Sequence, residues 1–119
     1  MNFKRRKDDE LYTELLRKLR KYKCEKCGRV YKDNLRNLGV SHYHGRRKEN
    51  VRFDYENTDL LCTLPCHQYF EENPHAYREW KIKKLGKIKY DMLALRAEFY
   101  CKRDVKKNVL WIKEELKNV

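Results

Sequence analysis

No apolar run in this chain approaches the roughly 18 residues that a membrane span requires, so no membrane-crossing segment and no membrane partner are expected. The opening stretch Met1-Asn2-Phe3-Lys4-Arg5-Arg6-Lys7 lacks the apolar core of a signal peptide, and the chain reads as cytoplasmic with reduced thiols. Glycine and proline are scarce, four and two in 119 residues, and neither an internal repeat nor a low-complexity linker is visible. A single domain over residues 1–119 follows. Hydrophobic residues match charged residues at 40% each, which leaves a thin core beneath a surface that must solvate many lysines. A metal staple would help such a chain fold.

The cysteines supply one. Cys24-Glu-Lys-Cys27 and Cys62-Thr-Leu-Pro-Cys66 are two half-sites separated by 34 residues, enough to enclose a hairpin. An odd total of five, the Cys-x-x-Cys grouping and the absence of a secretion signal favour metal over disulfides. Four thiolates close the coordination sphere of zinc, so Cys24, Cys27, Cys62 and Cys66 are expected to hold a structural zinc ion. The second half-site has three intervening residues instead of the more familiar two. Cys101 lies apart in an expected helix, where a free cysteine packs as a small hydrophobe.

The net charge of +12 sits on the flanks. Residues 1–23 carry nine Lys or Arg against four acids, residues 24–77 eight against eight, and residues 78–119 thirteen against six. A neutral centre between basic arms suits phosphate binding, with affinity that falls as salt rises. Arg46-Arg47-Lys48 concentrates charge beside the histidines.

Leu11, Leu15, Leu16, Leu19 and Tyr22 recur at helical spacing after Asp8-Asp9-Glu10, predicting an amphipathic helix over 9–22 with Arg17, Lys18, Arg20 and Lys21 outside. Cys24 to Gly28 reads as a tight knuckle, and residues 1–23 as a basic tail plus this helix. Leu38 to His44 alternates as a short strand, with Val51-Arg52-Phe53-Asp54 as its partner across the basic loop and Asn57-Thr58-Asp59 as the turn out. Pro65 opens a helix carrying Cys66, His67, Tyr69 and Phe70. Asn73-Pro74 ends that helix and starts another, which Gly86 breaks; two more follow, around Tyr90–Phe99 and Val109–Leu116. Residues 24–72 thus form a zinc-bound core and 73–119 a basic helical extension. His42, His44 and His67 are expected to converge, while His75 lies outside their cluster. Because residues 66 and 67 are about 100° apart on a helix, Cys66 and His67 can serve different metals.

The order Cys24-x-x-Cys27, Ser41-His42-Tyr43-His44-Gly45-Arg46, Asn57 and Cys62 through Cys66-His67 resembles the HNH, or ββα-metal, nuclease superfamily. Within it, Gly39 through Arg47, Val51-Arg52-Phe53-Asp54-x-x-Asn57 and Asn73-Pro74-x-x-Tyr77-x-x-Trp80 with Leu85-Gly86 resemble the NinG (Rap) family of phage recombination proteins. The likeness covers roughly residues 24–90. It implies an α+β fold, a small zinc-stapled ββα-metal core flanked by an N-terminal helix and two to three C-terminal helices.

The resemblance also implies a function: metal-dependent hydrolysis of DNA phosphodiester bonds, on branched or junction DNA, in a bacterial host cell if the chain is phage-encoded. His42 would be the general base, Asn57 would orient the hairpin or that histidine, and His67 would ligate a catalytic divalent cation. Arg46, Arg47, Lys48 and Arg52 would contact DNA phosphates. Many superfamily members carry aspartate before the catalytic histidine, where this chain has Ser41. His42 and His44 project from one face of an extended strand, so His44 could complete the cation site; which of the two is base and which is ligand stays open. Manganese, magnesium, nickel and zinc are the candidate cations, an all-imidazole site favouring the softer ones. Asp54 is a further candidate ligand. Symmetric cutting of a junction would suit a homodimer. Two other readings compete: a non-catalytic zinc-stabilised nucleic-acid-binding module, and a site-specific homing or restriction nuclease.

Overall fold

The computed structural model describes residues 6–119; the first five residues of the expected basic tail lie outside the described residues. Acids in the first turn suit the helix N-terminus, and α1 runs Lys7–Leu19, starting and ending earlier than its apolar spacing predicts. Lys21 and Tyr22 adopt left-handed φ values of 56° and 59°, and the Tyr22 N–H closes the exit on the Arg17 carbonyl at 2.8 Å. The chain then enters the cysteine knuckle. Tyr12, Leu15 and Leu16 form the buried face of α1, whereas Leu19 stays 40% exposed. Arg17 and Arg20, expected on the outside, reach inward: Arg17 donates to the Leu38 carbonyl and Arg20 to the Glu25 carboxylate.

Strand β1, Leu38–His42, pairs antiparallel with β2, Thr58–Cys62, in the register Leu38↔Cys62 to His42↔Thr58. This corrects the expected hairpin. Residues 51–54 form no strand; Glu49–Val51 is a 3₁₀ turn, and Thr58-Asp59, expected as a turn, lies within the true partner strand. The physical reason is long-range. Val51 is buried with Leu93 and Ala97, so its segment plugs a second small core instead of extending a ladder. All five residues of β2 are buried, including Thr58 and Asp59, whose polar atoms find buried partners. A strand covered on both faces shows no alternation to read.

After β2 comes a wide turn over Thr63–His67 with a cis Leu64–Pro65 bond, then the short helix α2, Gln68–Glu72. Pro65 therefore precedes the regular helix that it was expected to open. Helix α3, Pro74–Leu85, begins at its proline as predicted. Gly86 at φ 85° breaks it from α4, Lys87–Glu98. Helix α5, Val105–Lys117, starts at Asp104, whose side chain accepts the Lys107 N–H at 3.0 Å. Cys101 sits exposed in the α4–α5 loop, not buried in a helix as the sequence predicts.

Among the described residues the fold is thus α+β, a two-stranded antiparallel sheet with five α-helices. Tyr12, Leu15, Leu16, Leu38, Leu60, Leu61, Phe70 and Ile112 share one buried cluster that joins α1, the sheet, α2 and α5. Full burial of each such aliphatic side chain contributes about 1.5–3 kcal/mol. No helix among the described residues is long and apolar enough to cross a membrane.

Candidate metal centre and histidine-lined cavity

The knuckle after α1, the end of β2 and the wide turn that follows it bring Cys24, Cys27, Cys62 and Cys66 together, with every sulfur within 4.8 Å of the others. Cys27 and Cys62 Sγ lie 4.0 Å apart. A tetrahedral zinc with bonds of about 2.3 Å needs sulfur separations of about 3.8 Å, so this cage fits a structural metal such as zinc with little adjustment. Gly28, at φ 79°, lets the knuckle close, and its N–H donates to the Cys24 carbonyl at 2.9 Å. Burial pushes the Cys24 and Cys66 thiols up. Burial also opposes ionisation of Cys27, but the Arg29 backbone and the neighbouring thiols outweigh it and bring Cys27 to about 7. A dication bound by these four residues would relieve the conflict, since metal-ligating sulfurs are thiolates.

Glu25, inside the first cysteine pair, ties the knuckle to three elements. Its carboxylate receives the Leu60 N–H and Arg20, each at 2.5 Å, and Lys84 of α3 at 2.7 Å.

Across the sheet, Asn57 holds the chain leaving β1. Its Nδ2 donates to the carbonyls of His44 at 3.0 Å and Val51 at 3.1 Å, while its Oδ1 accepts the His44 N–H at 2.8 Å. The Tyr43 N–H donates to the Asn57 carbonyl at 2.9 Å. One fully buried amide therefore fixes the backbone at His44, while His42 is placed by its pairing with Thr58 in the sheet.

His42, His44 and His67 line a single open cavity of about 770 Å³. The Nε2 atoms of His42 and His44 are buried and have no hydrogen-bond partner. Burial, reinforced by the charges of Arg46 and Arg52, lowers His42 to about 4. Burial lowers His44 as well, helped by Lys48 and Lys81. Both rings are held neutral, with a nitrogen available to a proton or a cation. His67 faces Glu71 at 3.5 Å, and both line the cavity. The three histidines share this space without closing into a cage. Among the described residues, only the cysteines bring three or more metal-binding donors within 4.8 Å of one another.

Ser41 is committed to a buried chain. Tyr77 Oη donates to Asp59 Oδ2 at 2.6 Å, so the Ser41 hydroxyl, 3.0 Å from Tyr77, donates to the phenol. Lys81 and Lys84 complete the network at 2.8 and 2.6 Å from Asp59 Oδ1. Burial alone would raise the Asp59 carboxyl, but the two ammonium groups outweigh it and hold it below the usual range.

The basic residues divide sharply. Arg46, Arg47 and Lys48 are exposed, and Arg46 borders the cavity. Arg52, expected to contact phosphate, is only 5% exposed and grips Asp9 through two bonds of 3.0 and 2.7 Å. It also donates to the Arg46 carbonyl at 2.9 Å, so its guanidinium is engaged inside the fold and braces the basic loop. Asp54, a candidate ligand, is spent on Arg96 at 2.9 Å. His75 lies on the exposed start of α3, opposite Glu79 at 3.0 Å.

Glu71 and Tyr77 border the cavity and were missed as site residues, as was Asp59 behind it. Only Glu71 carried a local signal, since it follows His67 by one helical turn. No family model, curated protein or solved structure matches this chain.

Proposed function

We propose that this chain is a metal-dependent DNA endonuclease with an HNH-type ββα-metal core. The observation that carries the reading is the pair of buried, unpartnered imidazole nitrogens in one cavity with His67. Burying a polar atom without a partner costs stability unless a ligand uses it. The order of parts supports the same reading: strand, basic loop, buried asparagine, strand and histidine-bearing turn, braced by a four-thiol cage that a structural zinc ion would close.

In this reading neutral His42 accepts the proton of the water that attacks phosphorus, and the 3′ oxygen leaves on the opposite side. Asn57 keeps that imidazole in register by fixing the backbone two residues on. Arg46, Arg47 and Lys48 hold the flanking phosphates. His44, His67 and Glu71 would supply imidazole nitrogens and a carboxylate oxygen to a divalent cation, a donor set that suits manganese, nickel, zinc or magnesium. Such a cation, when bound, would offset charge on the scissile phosphate and the leaving oxygen.

A second reading, a zinc-stabilised DNA-binding module without catalysis, draws on one observation. Ser41 stands where an anionic ligand would help and is tied to Tyr77. Purified protein is incubated with plasmid and four-way-junction DNA in manganese, magnesium, nickel or zinc. The nuclease reading expects cleavage that His42→Ala abolishes while DNA affinity and bound zinc persist. Uncut DNA under all four cations would overturn it in favour of the binding module.

A further inference from the structure

The cavity that holds the histidines also has an aromatic wall. Tyr43, Phe70, Tyr77 and Tyr90 all line it. Tyr43 meets Tyr77 and Tyr90 edge-on, with centroids 5.0 and 5.6 Å apart, and Phe70 stacks on Tyr77 at 4.4 Å. The three tyrosines remain partly exposed, whereas Phe70 is buried in the core. The Tyr43 and Tyr90 hydroxyls lie 2.5 Å apart. One phenol proton serves that bond, and the other has no acceptor among the described residues. Cations stand around the same ring: Arg78 and Lys87 lie 5.9 and 5.5 Å from the Tyr90 centroid. Aromatic rings, a spare hydroxyl donor, Arg46 and two unpartnered imidazoles therefore share a space of about 770 Å³, within the range of small-ligand sites, with Arg78 and Lys87 beside Tyr90 at its edge.

That combination matches a nucleotide with its base free. We propose that the cavity takes an unpaired nucleotide, its base against Tyr43 and Tyr90 and its phosphate toward His42, His44 and Arg46. Single-stranded DNA, or the unpaired segment of a branched molecule, is then the preferred partner. The inference rests on the nuclease reading for the place of the phosphate and adds the class of substrate. A base inside a duplex has both faces covered by its neighbours, so only an unpaired base can lie on a tyrosine. Simple electrostatics gives the opposite order. A chain of net charge +12 should favour the denser charge of a duplex, so preference for a single strand isolates the stacking contribution.

The test is equilibrium binding of the zinc-loaded full chain, without added divalent cation, to fluorescent single-stranded and duplex DNA of equal length at fixed salt. Single strands should bind at least tenfold tighter, and an oligonucleotide with abasic sites in place of its bases should lose about tenfold. Tyr90→Ala should lose a similar factor on single strands and little on duplex, while Tyr90→Phe should keep most of the affinity. Equal or duplex-favouring affinity of the wild type, or indifference to base removal, would overturn the proposal even if Tyr90→Ala fails to fold. Cleavage without a strand preference removes this inference and leaves the nuclease reading. A strand preference without cleavage does the reverse.

Discussion

Asn57 and His44 hold each other twice: the His44 N–H donates to Asn57 Oδ1 at 2.8 Å, and Asn57 Nδ2 returns a bond to the His44 carbonyl at 3.0 Å. A third bond runs from the same Nδ2 to the Val51 carbonyl at 3.1 Å. The amide thus joins the end of β1 to the plug that Val51 drives against α4. Truncation leaves buried backbone groups unpaired, each costing about 1–3 kcal/mol. Asn57→Ala should lower the melting temperature by several degrees and remove the proposed nuclease activity. A variant with the wild-type melting temperature would show that the amide does not brace the loop.

The four thiols should bind one metal ion per chain, and folding should depend on it. Cys62→Ser should lose the metal and the cooperative thermal transition, as read by metal analysis and circular dichroism. Cys101→Ser, in the exposed loop, should retain both. Full metal content in the Cys62 variant would mean that the cage is not the metal site.

Arg52 and Asp9 form a buried bidentate pair, and removing one partner strands the other charge. Arg52→Ala should destabilise the protein by about 3–5 kcal/mol in urea unfolding. Arg46→Ala combined with Arg47→Ala should leave stability within about 0.5 kcal/mol of wild type and weaken DNA binding. The reverse pattern would place the DNA contact on Arg52.

Asp59 is held below the ordinary carboxylate range because Lys81 and Lys84 outweigh the effect of burial. For a depressed carboxyl, the stability is present above the unfolded value near 3.9 and is lost as pH falls through the lower folded value. The Asp59 carboxyl, followed by NMR, should therefore stay ionised as pH falls and titrate below about 3.9. Protonation at or above that value would show that the carboxyl is not held low.

Local chemistry explains which parts were legible. Pro74 at a first helical position and Gly86 at a left-handed angle mark the limits of α3, because each residue acts through its own backbone. The spacing of four cysteines announces a metal cage, since thiolates at such intervals have few other uses. The shared cavity of His42, His44 and His67 was also within reach, because one histidine ends a strand and another adjoins a cage cysteine.

Other features depend on partners distant in the chain. The letters of Val51-Arg52-Phe53-Asp54 read as a strand, but Asp9, 43 positions away, claims Arg52 and α4 claims Val51. Thr58 and Asp59 read as a turn until Tyr12 and Lys81 arrive to satisfy them inside β2. Ser41 reads as a lost ligand, yet its hydroxyl belongs to a chain running through Tyr77 to Asp59. Residue type and spacing thus specified the thiol cage and which histidines line the cavity. The strand pairing, the division of arginines between core and surface, and the wall around the imidazoles were settled by tertiary contacts. A buried charge or hydroxyl takes its role from the group that pairs with it, and that group lies tens of residues away.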